Sequence, residues 1–153
     1  MNGKGGHPPE NILEAKEAMK RKGEAAMAKG TASKKVRSHR EVGEEMEQKA
    51  AMFLESQGYR IVERNFYARA GEIDIIAREN GVLVFVEVKS CHPENGIFPE
   101  EVVDRRKRER IVKTARYYLA RRKLPEDVPC RFDVVAISGS QVHLLRDAFW
   151  EDE

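Results

Sequence analysis

A chain of 153 residues holds one domain with residues to spare, and a formal charge of +2 is too small to point to a partner by itself. The charged share, 35%, is well above the globular norm, and the hydrophobic share, 41%, is slightly below it. A core can therefore form without enlisting the whole chain. No apolar run approaches the ~20 residues that span a bilayer, and the N-terminus lacks the apolar centre of a secretory signal, so the expectation is a cytoplasmic protein with no membrane partner.

The positive charge is local. Residues 1–42 carry ten Lys and Arg against five Asp and Glu, whereas the remainder carries eighteen against twenty-one. Residues 1–42 read as a basic N-terminal extension, partly helical or disordered. Met1 to Pro9 is Gly- and Pro-rich. Glu10 to Ala28 has helix-forming composition but only a thin apolar stripe (Ile12, Leu13, Ala15, Met19), marginal for an isolated helix. Lys34 to Arg40 is basic without periodicity. A solvated tail is the favoured reading; an arm adding phosphate contacts is the alternative.

The folded domain is placed at 43–150. Met46, Ala50, Phe53 and Leu54 mark one helical face, with Gly58 as its stop. Tyr59–Val62 reads as a short strand followed by a turn around Asn65. Ile73–Ala77 and Val82–Val88 read as two further strands joined by Asn80-Gly81, a strong hairpin signal. A loop leads to a long helix from about Pro99 to Arg122, with Ile111, Val112, Ala115, Tyr118 and Leu119 on its apolar side. Arg131–Ile137 and Val142–Leu145 complete the set. A strand, helix, strand succession implies parallel pairing across the long helix. The order αβββαββ predicts an α/β fold with a mixed five-stranded sheet flanked by helices.

The hairpin fixes a register. With Asn80 and Gly81 as the loop, Asp74 opposes Glu87 and Glu72 opposes Lys89. By the period of two, all four share a face. Opposed carboxylates stand only about 5 Å apart at Cβ and repel unless something positive lies between them. Glu87 also ends an apolar run, Val82 to Val86, of the kind buried on both faces. Glu87 in a salt bridge at the sheet rim is the plainer alternative. A divalent cation is the natural remedy for two facing carboxylates, and Mg²⁺ takes a few carboxylates together with water and phosphate oxygens. Glu47, roughly 60° from the centre of its helix's apolar stripe at 100° per residue, borders the buried face and is a third candidate. Cys91-His92 is half of a zinc site with no second Cys/His pair at ligand spacing, so zinc is not expected. The two cysteines suit a reducing compartment.

The long helix is strongly basic. Arg105, Arg106, Lys107, Arg108, Lys113 and Arg116 are the residues expected to meet nucleic-acid phosphates. Only Glu109 interrupts the run, so pairing within the helix does not account for it. Nothing resembles a base-reading module, so recognition should be of backbone or shape.

Several segments together resemble a known family. They are Gly43-x-x-x-Glu47, Gly58-Tyr59, Arg64-Asn65-Phe66, Gly71-Glu72-Ile73-Asp74-Ile75-Ile76-Ala77 and Val84-Phe85-Val86-Glu87-Val88-Lys89, with Lys107, Arg131-Phe132-Asp133-Val134-Val135 and Asp147-Ala148-Phe149. From about Arg40 to Trp150 the chain resembles the YraN family of uncharacterised bacterial proteins. That family is similar to archaeal Holliday junction resolvases and the PD-(D/E)XK nuclease superfamily. The resemblance implies a restriction-endonuclease-like domain in which Asp74, Glu87 and Glu47 serve Mg²⁺ (or Mn²⁺) and Lys89 completes the catalytic set. Cys91 stands where the family usually has Arg, and Asn95-Gly96-Ile97-Phe98 replaces the usual Phe-Gly or Tyr-Gly. The implied function is a metal-dependent endonuclease cutting phosphodiester bonds in DNA, with branched or structured DNA a candidate substrate. A non-catalytic nucleic-acid binder and an interaction module holding a structural ion are the alternatives. A homodimer is left open.

Overall fold

A computed structural model describes residues 36–91 and 103–150. Helix α1 spans His39–Ser56, followed by strands β1 Arg60–Ala68, β2 Gly71–Glu79 and β3 Val82–Ser90. Helix α2 spans Arg105–Arg121, and strands β4 Cys130–Ser138 and β5 Gln141–Phe149 close the order αβββαββ. The five strands form one mixed sheet in sequential order, antiparallel except for the parallel β3–β4 pair that α2 bridges. This is the expected architecture, and it is consistent with an α/β nuclease-like fold.

The helices begin where side chains satisfy their first amide groups. Ser38 accepts a hydrogen bond from Glu41 N while the Glu41 carboxylate accepts from Ser38 N, a capping box. α1 therefore starts inside the stretch assigned to the extension. The rest of that extension, residues 1–35, lies outside the described residues, as does the loop from His92 to Val102 with its family departures. Asp104 caps α2 by accepting from Lys107 N at 2.8 Å, so α2 begins at Arg105 and not near Pro99.

Each helix covers one face of the sheet. Ala50, Ala51 and Leu54 of α1 pack with Ile75, Ala77, Val84, Val86, Val135 and Ile137. Ile111, Val112, Ala115 and Tyr118 of α2 pack with Ile73, Ile76, Leu83, Phe85, Phe132 and Phe149. Phe85 sits between Tyr118, edge-on at 5.9 Å, and Phe132, stacked at 5.6 Å. Burial of each such large side chain is worth about 1.5–3 kcal/mol. Met46 and Phe53 of the predicted α1 stripe are only partly buried.

Asn65 is not in a turn: β1 runs through it as a single strand of nine residues. It holds a left-handed φ of 53°, which Asn tolerates better than most residues. The consequence is a change of face. Arg64 pairs with Ile75 and Phe66 with Ile73, leaving Asn65 and Asp74 between those pairs. Ile73 belongs to the α2-side core and Ile75 to the α1-side core, so strict alternation fails at Asp74.

Candidate active site

The Asn80-Gly81 turn has the two positive φ values, 49° and 80°, of a type I′ hairpin, and it sets the register from Glu79–Val82 to Ile75–Val86. At that point the β2–β3 ladder ends, one pair before Asp74 and Glu87. β3 continues beside β4 as far as Ser90 and Ile137. The β3 edge so opened is met by a side chain: Asp74 Oδ2 accepts a hydrogen bond from Val88 N at 2.7 Å. Asp74 thus stands where the two strands part, beside Glu87.

Both carboxylates are buried, Glu87 with 3% of its surface exposed and Asp74 with 9%. The Asp74 carboxyl is pushed up from its ordinary value of 3.8 to about 7. Burial is the main cause and the Glu87 charge the next. The Val88 hydrogen bond opposes them, and Glu47 and Glu72 add smaller repulsions. Three other carboxylates therefore act on Asp74. Glu87 Oε1 lies 3.6 Å from Lys89 Nζ and 3.4 Å from Lys107 Nζ, while its buried Oε2 has no hydrogen-bond partner. Glu47 reaches the site from α1, its carboxylate 3.9 Å from Arg64, which also donates to Gln48 at 2.7 Å.

Of the predicted set, Glu87 and Lys89 are in direct contact, and the charges of Glu87 and Glu47 act on Asp74. Among the described residues, no three of His, Cys, Asp and Glu close into a ready-made metal cage. The donor set still fits a hard cation that keeps most of its water. An orphaned buried carboxylate oxygen on Glu87 and a repelled carboxyl on Asp74 are both groups that a divalent ion would satisfy. Asp74 and Glu87 would hold it, with Glu47 further out.

Two contributors went unassigned in the sequence. Arg64 positions Glu47. Lys107, expected on the nucleic-acid face, turns its ammonium to Glu87 with only 27% of its side chain exposed. Arg108 departs from that face as well. Its Nε donates to Val103 O at 2.8 Å, and its guanidinium lies 5.7 Å over the Phe149 ring. Arg105, Arg106, Lys113 and Arg116 are exposed on α2, with Arg105 paired to Glu109 at 3.2 Å.

A second acidic cluster lies on the α1 face of the sheet and is built around a buried arginine. Asp133, fully buried, accepts from Arg131 Nε at 3.0 Å, Tyr59 Oη at 2.9 Å and Asp147 N at 2.9 Å. Glu79 accepts from Arg131 at 2.9 Å and Arg146 at 2.8 Å. Asp133 keeps the Arg131 guanidinium charged although burial opposes it. This cluster is structural.

The class is an α/β protein with a five-stranded mixed sheet, consistent with a nuclease-like fold, whose β2 and β3 part beside a buried pair of carboxylates. The comparisons with known proteins narrow it. The model of the "Uncharacterised protein family UPF0102" matches residues 46–137. A UPF0102 protein of Lachnoclostridium phytofermentans is 53% identical over 104 residues, covering 67% of this chain and 87% of the relative. One of Symbiobacterium thermophilum is 51% identical over 115 residues, 72% of this chain and 97% of the relative, and one of Persephonella marina is 44% identical over 107 residues, 70% and 91%. The chain belongs to UPF0102, the YraN family. Among the described residues no helix is long and apolar enough to cross a membrane.

Proposed function

We propose that the protein is a metal-dependent endonuclease that hydrolyses phosphodiester bonds in DNA, using the centre formed by Asp74, Glu87, Lys89 and Glu47. The observation that carries this reading is a buried carboxylate pair left partly unsatisfied: Asp74 is pushed up by burial and by Glu87, and Glu87, though paired through Oε1 with Lys89 and Lys107, keeps Oε2 without a hydrogen-bond partner. Around Arg131 both carboxylates meet a guanidinium within 3.0 Å, whereas Asp74 is acted on by the charges of Glu87, Glu47 and Glu72.

A bound Mg²⁺ or Mn²⁺ would supply Lewis acidity toward the phosphate and make a hydroxide-like nucleophile available near neutral pH. The chain's own residues do the rest. Asp74 and Glu87 would hold the cation. Lys89, tethered by Glu87 and one-third exposed, is placed to orient the attacking water and to stabilise charge growing on the phosphoryl oxygens. Lys107 supplies a second ammonium on the same carboxylate. Glu47, held by Arg64, serves by accepting hydrogen bonds from ordered water. The exposed Arg105, Arg106, Lys113 and Arg116 give α2 a surface for phosphates.

Linear, flapped and four-way DNA incubated with Mg²⁺ or Mn²⁺ test this reading. The expected result is metal-dependent strand cleavage of at least one substrate, abolished in Glu87→Gln and by chelator. Binding without cleavage of any of them would mean a nucleic-acid-binding protein that keeps the fold without the activity.

A further inference from the structure

Beside the carboxylate pair lies a cleft that the proposed chemistry leaves unused. Its volume is about 340 Å³, and it is lined by Tyr67, Ala68, Arg69, Gly71 and Glu72 of the β1–β2 hairpin and by Lys107, Arg110 and Ile111 of α2. Two of its residues belong to the centre as well. Lys107 reaches Glu87, and the Glu72 charge acts on Asp74. The cleft therefore shares Lys107 with the carboxylate pair and adjoins it through that side chain.

Its composition is that of a nucleotide subsite. Tyr67 is 67% exposed, with its aromatic surface offered to solvent next to a cleft, whereas Phe66 before it is buried in the core. Arg69 and Arg110 flank it, and Arg110 is anchored by donating from Nε to Ala70 O at 3.3 Å. An exposed ring beside two guanidinium groups, one of them anchored, suits one base stacked on the ring with its phosphate on the cations. A base within a duplex cannot offer its face in this way. We infer that the cleft between Tyr67, Arg69, Glu72 and Arg110 binds an unpaired nucleotide adjoining the phosphodiester at Asp74 and Glu87. This makes the preferred substrate class DNA with a single-stranded segment or flap. The inference rests on the nuclease reading for the position of the strand, and on the cleft alone for the stacking.

The test uses the full-length chain in chelator, where no cleavage intervenes. Fluorescence anisotropy compares a labelled duplex with the same duplex carrying a single-stranded flap. Wild-type protein should bind the flapped DNA more tightly. Tyr67→Ala should weaken that binding by about 5- to 140-fold, the loss of one stacked base, and leave the plain duplex unchanged. Tyr67→Phe should restore it. Equal affinities of wild type for the two DNAs, equal losses on both in Tyr67→Ala, or no loss on either would overturn the inference. A nuclease that cuts without discriminating flaps would leave the proposed function standing and the cleft unassigned. Stacking without any cleavage in metal would do the reverse.

Discussion

Asp74→Asn is expected to leave the metal-free protein at least as stable as the wild type while removing its stabilisation by Mn²⁺. Burial and the Glu87 charge make ionised Asp74 unfavourable, and the asparagine side chain is neutral. Its amide oxygen keeps the hydrogen bond from Val88 N, which closes the gap where the ladder ends. Asp74→Ala discards that acceptor and should cost about 1–3 kcal/mol through the unsatisfied buried amide. The sign of the pH dependence follows from the same carboxyl. Its folded value of about 7 lies above the ordinary 3.8, so the folded state holds a proton that the unfolded chain has lost. The stability this gives is fully present below about pH 4 and fades as pH rises through 7. The asparagine variant should lack that slope. Mn²⁺ at a hundred times its dissociation constant should stabilise the wild type by about 2.7 kcal/mol. The variant should lose more affinity than the roughly 10- to 100-fold typical of residues that merely support a ligand. Melting far below wild type in chelator, with neither protein shifted by metal, would make Asp74 structural.

Arg131→Met should behave in the opposite way, with a loss of about 3–5 kcal/mol and no response to metal. Arg131 is 12% exposed and is the shared counter-charge of Glu79 and Asp133, whose side chains are 9% and 0% exposed. Methionine fills much of the volume but leaves Asp133 with only the Tyr59 hydroxyl and the Asp147 amide, and Glu79 with Arg146. Urea unfolding followed by far-UV circular dichroism measures the difference. A loss below about 1 kcal/mol would show that the Arg131 cluster is not holding β4 in place. The two variants together separate an acidic pair that the fold tolerates from one that the fold uses.

The hairpin was the most legible part of the sequence, because Asn80-Gly81 admits few turn geometries and the turn dictates every pair after it. The same turn places Asp74 beside Glu87 from sequence alone. The shared-face argument was less secure, since a period of two has no means of registering the left-handed Asn65 that changes the face of both strands between Ile73 and Ile75. α1 was begun too late although Ser38 and Glu41 spell a capping box; the basic character of Lys34 to Arg40 masked it. Lys107 was grouped with its charged neighbours. Its spacing to Ile111, Thr114 and Tyr118, at i+4, i+7 and i+11, is that of the buried side of α2 and places its ammonium at Glu87. What the sequence could not supply was the end of the β2–β3 ladder at Ile75, which depends on a side chain competing for a backbone amide three-dimensionally close and fourteen residues away.

The claim on which the rest depends is that Asp74 and Glu87 exist to hold a divalent cation. Calorimetric titration of Mn²⁺ into wild-type protein at pH 6 and pH 8, with Asp74→Asn and Glu87→Gln alongside, tests it most directly. Saturable binding is predicted for the wild type, tighter at pH 8 because the proton on Asp74 must leave at about pH 7 before the cation can take its place. Both variants should bind far more weakly at either pH. Equal binding by wild type and variants, or none by any of them at millimolar Mn²⁺, would contradict the account.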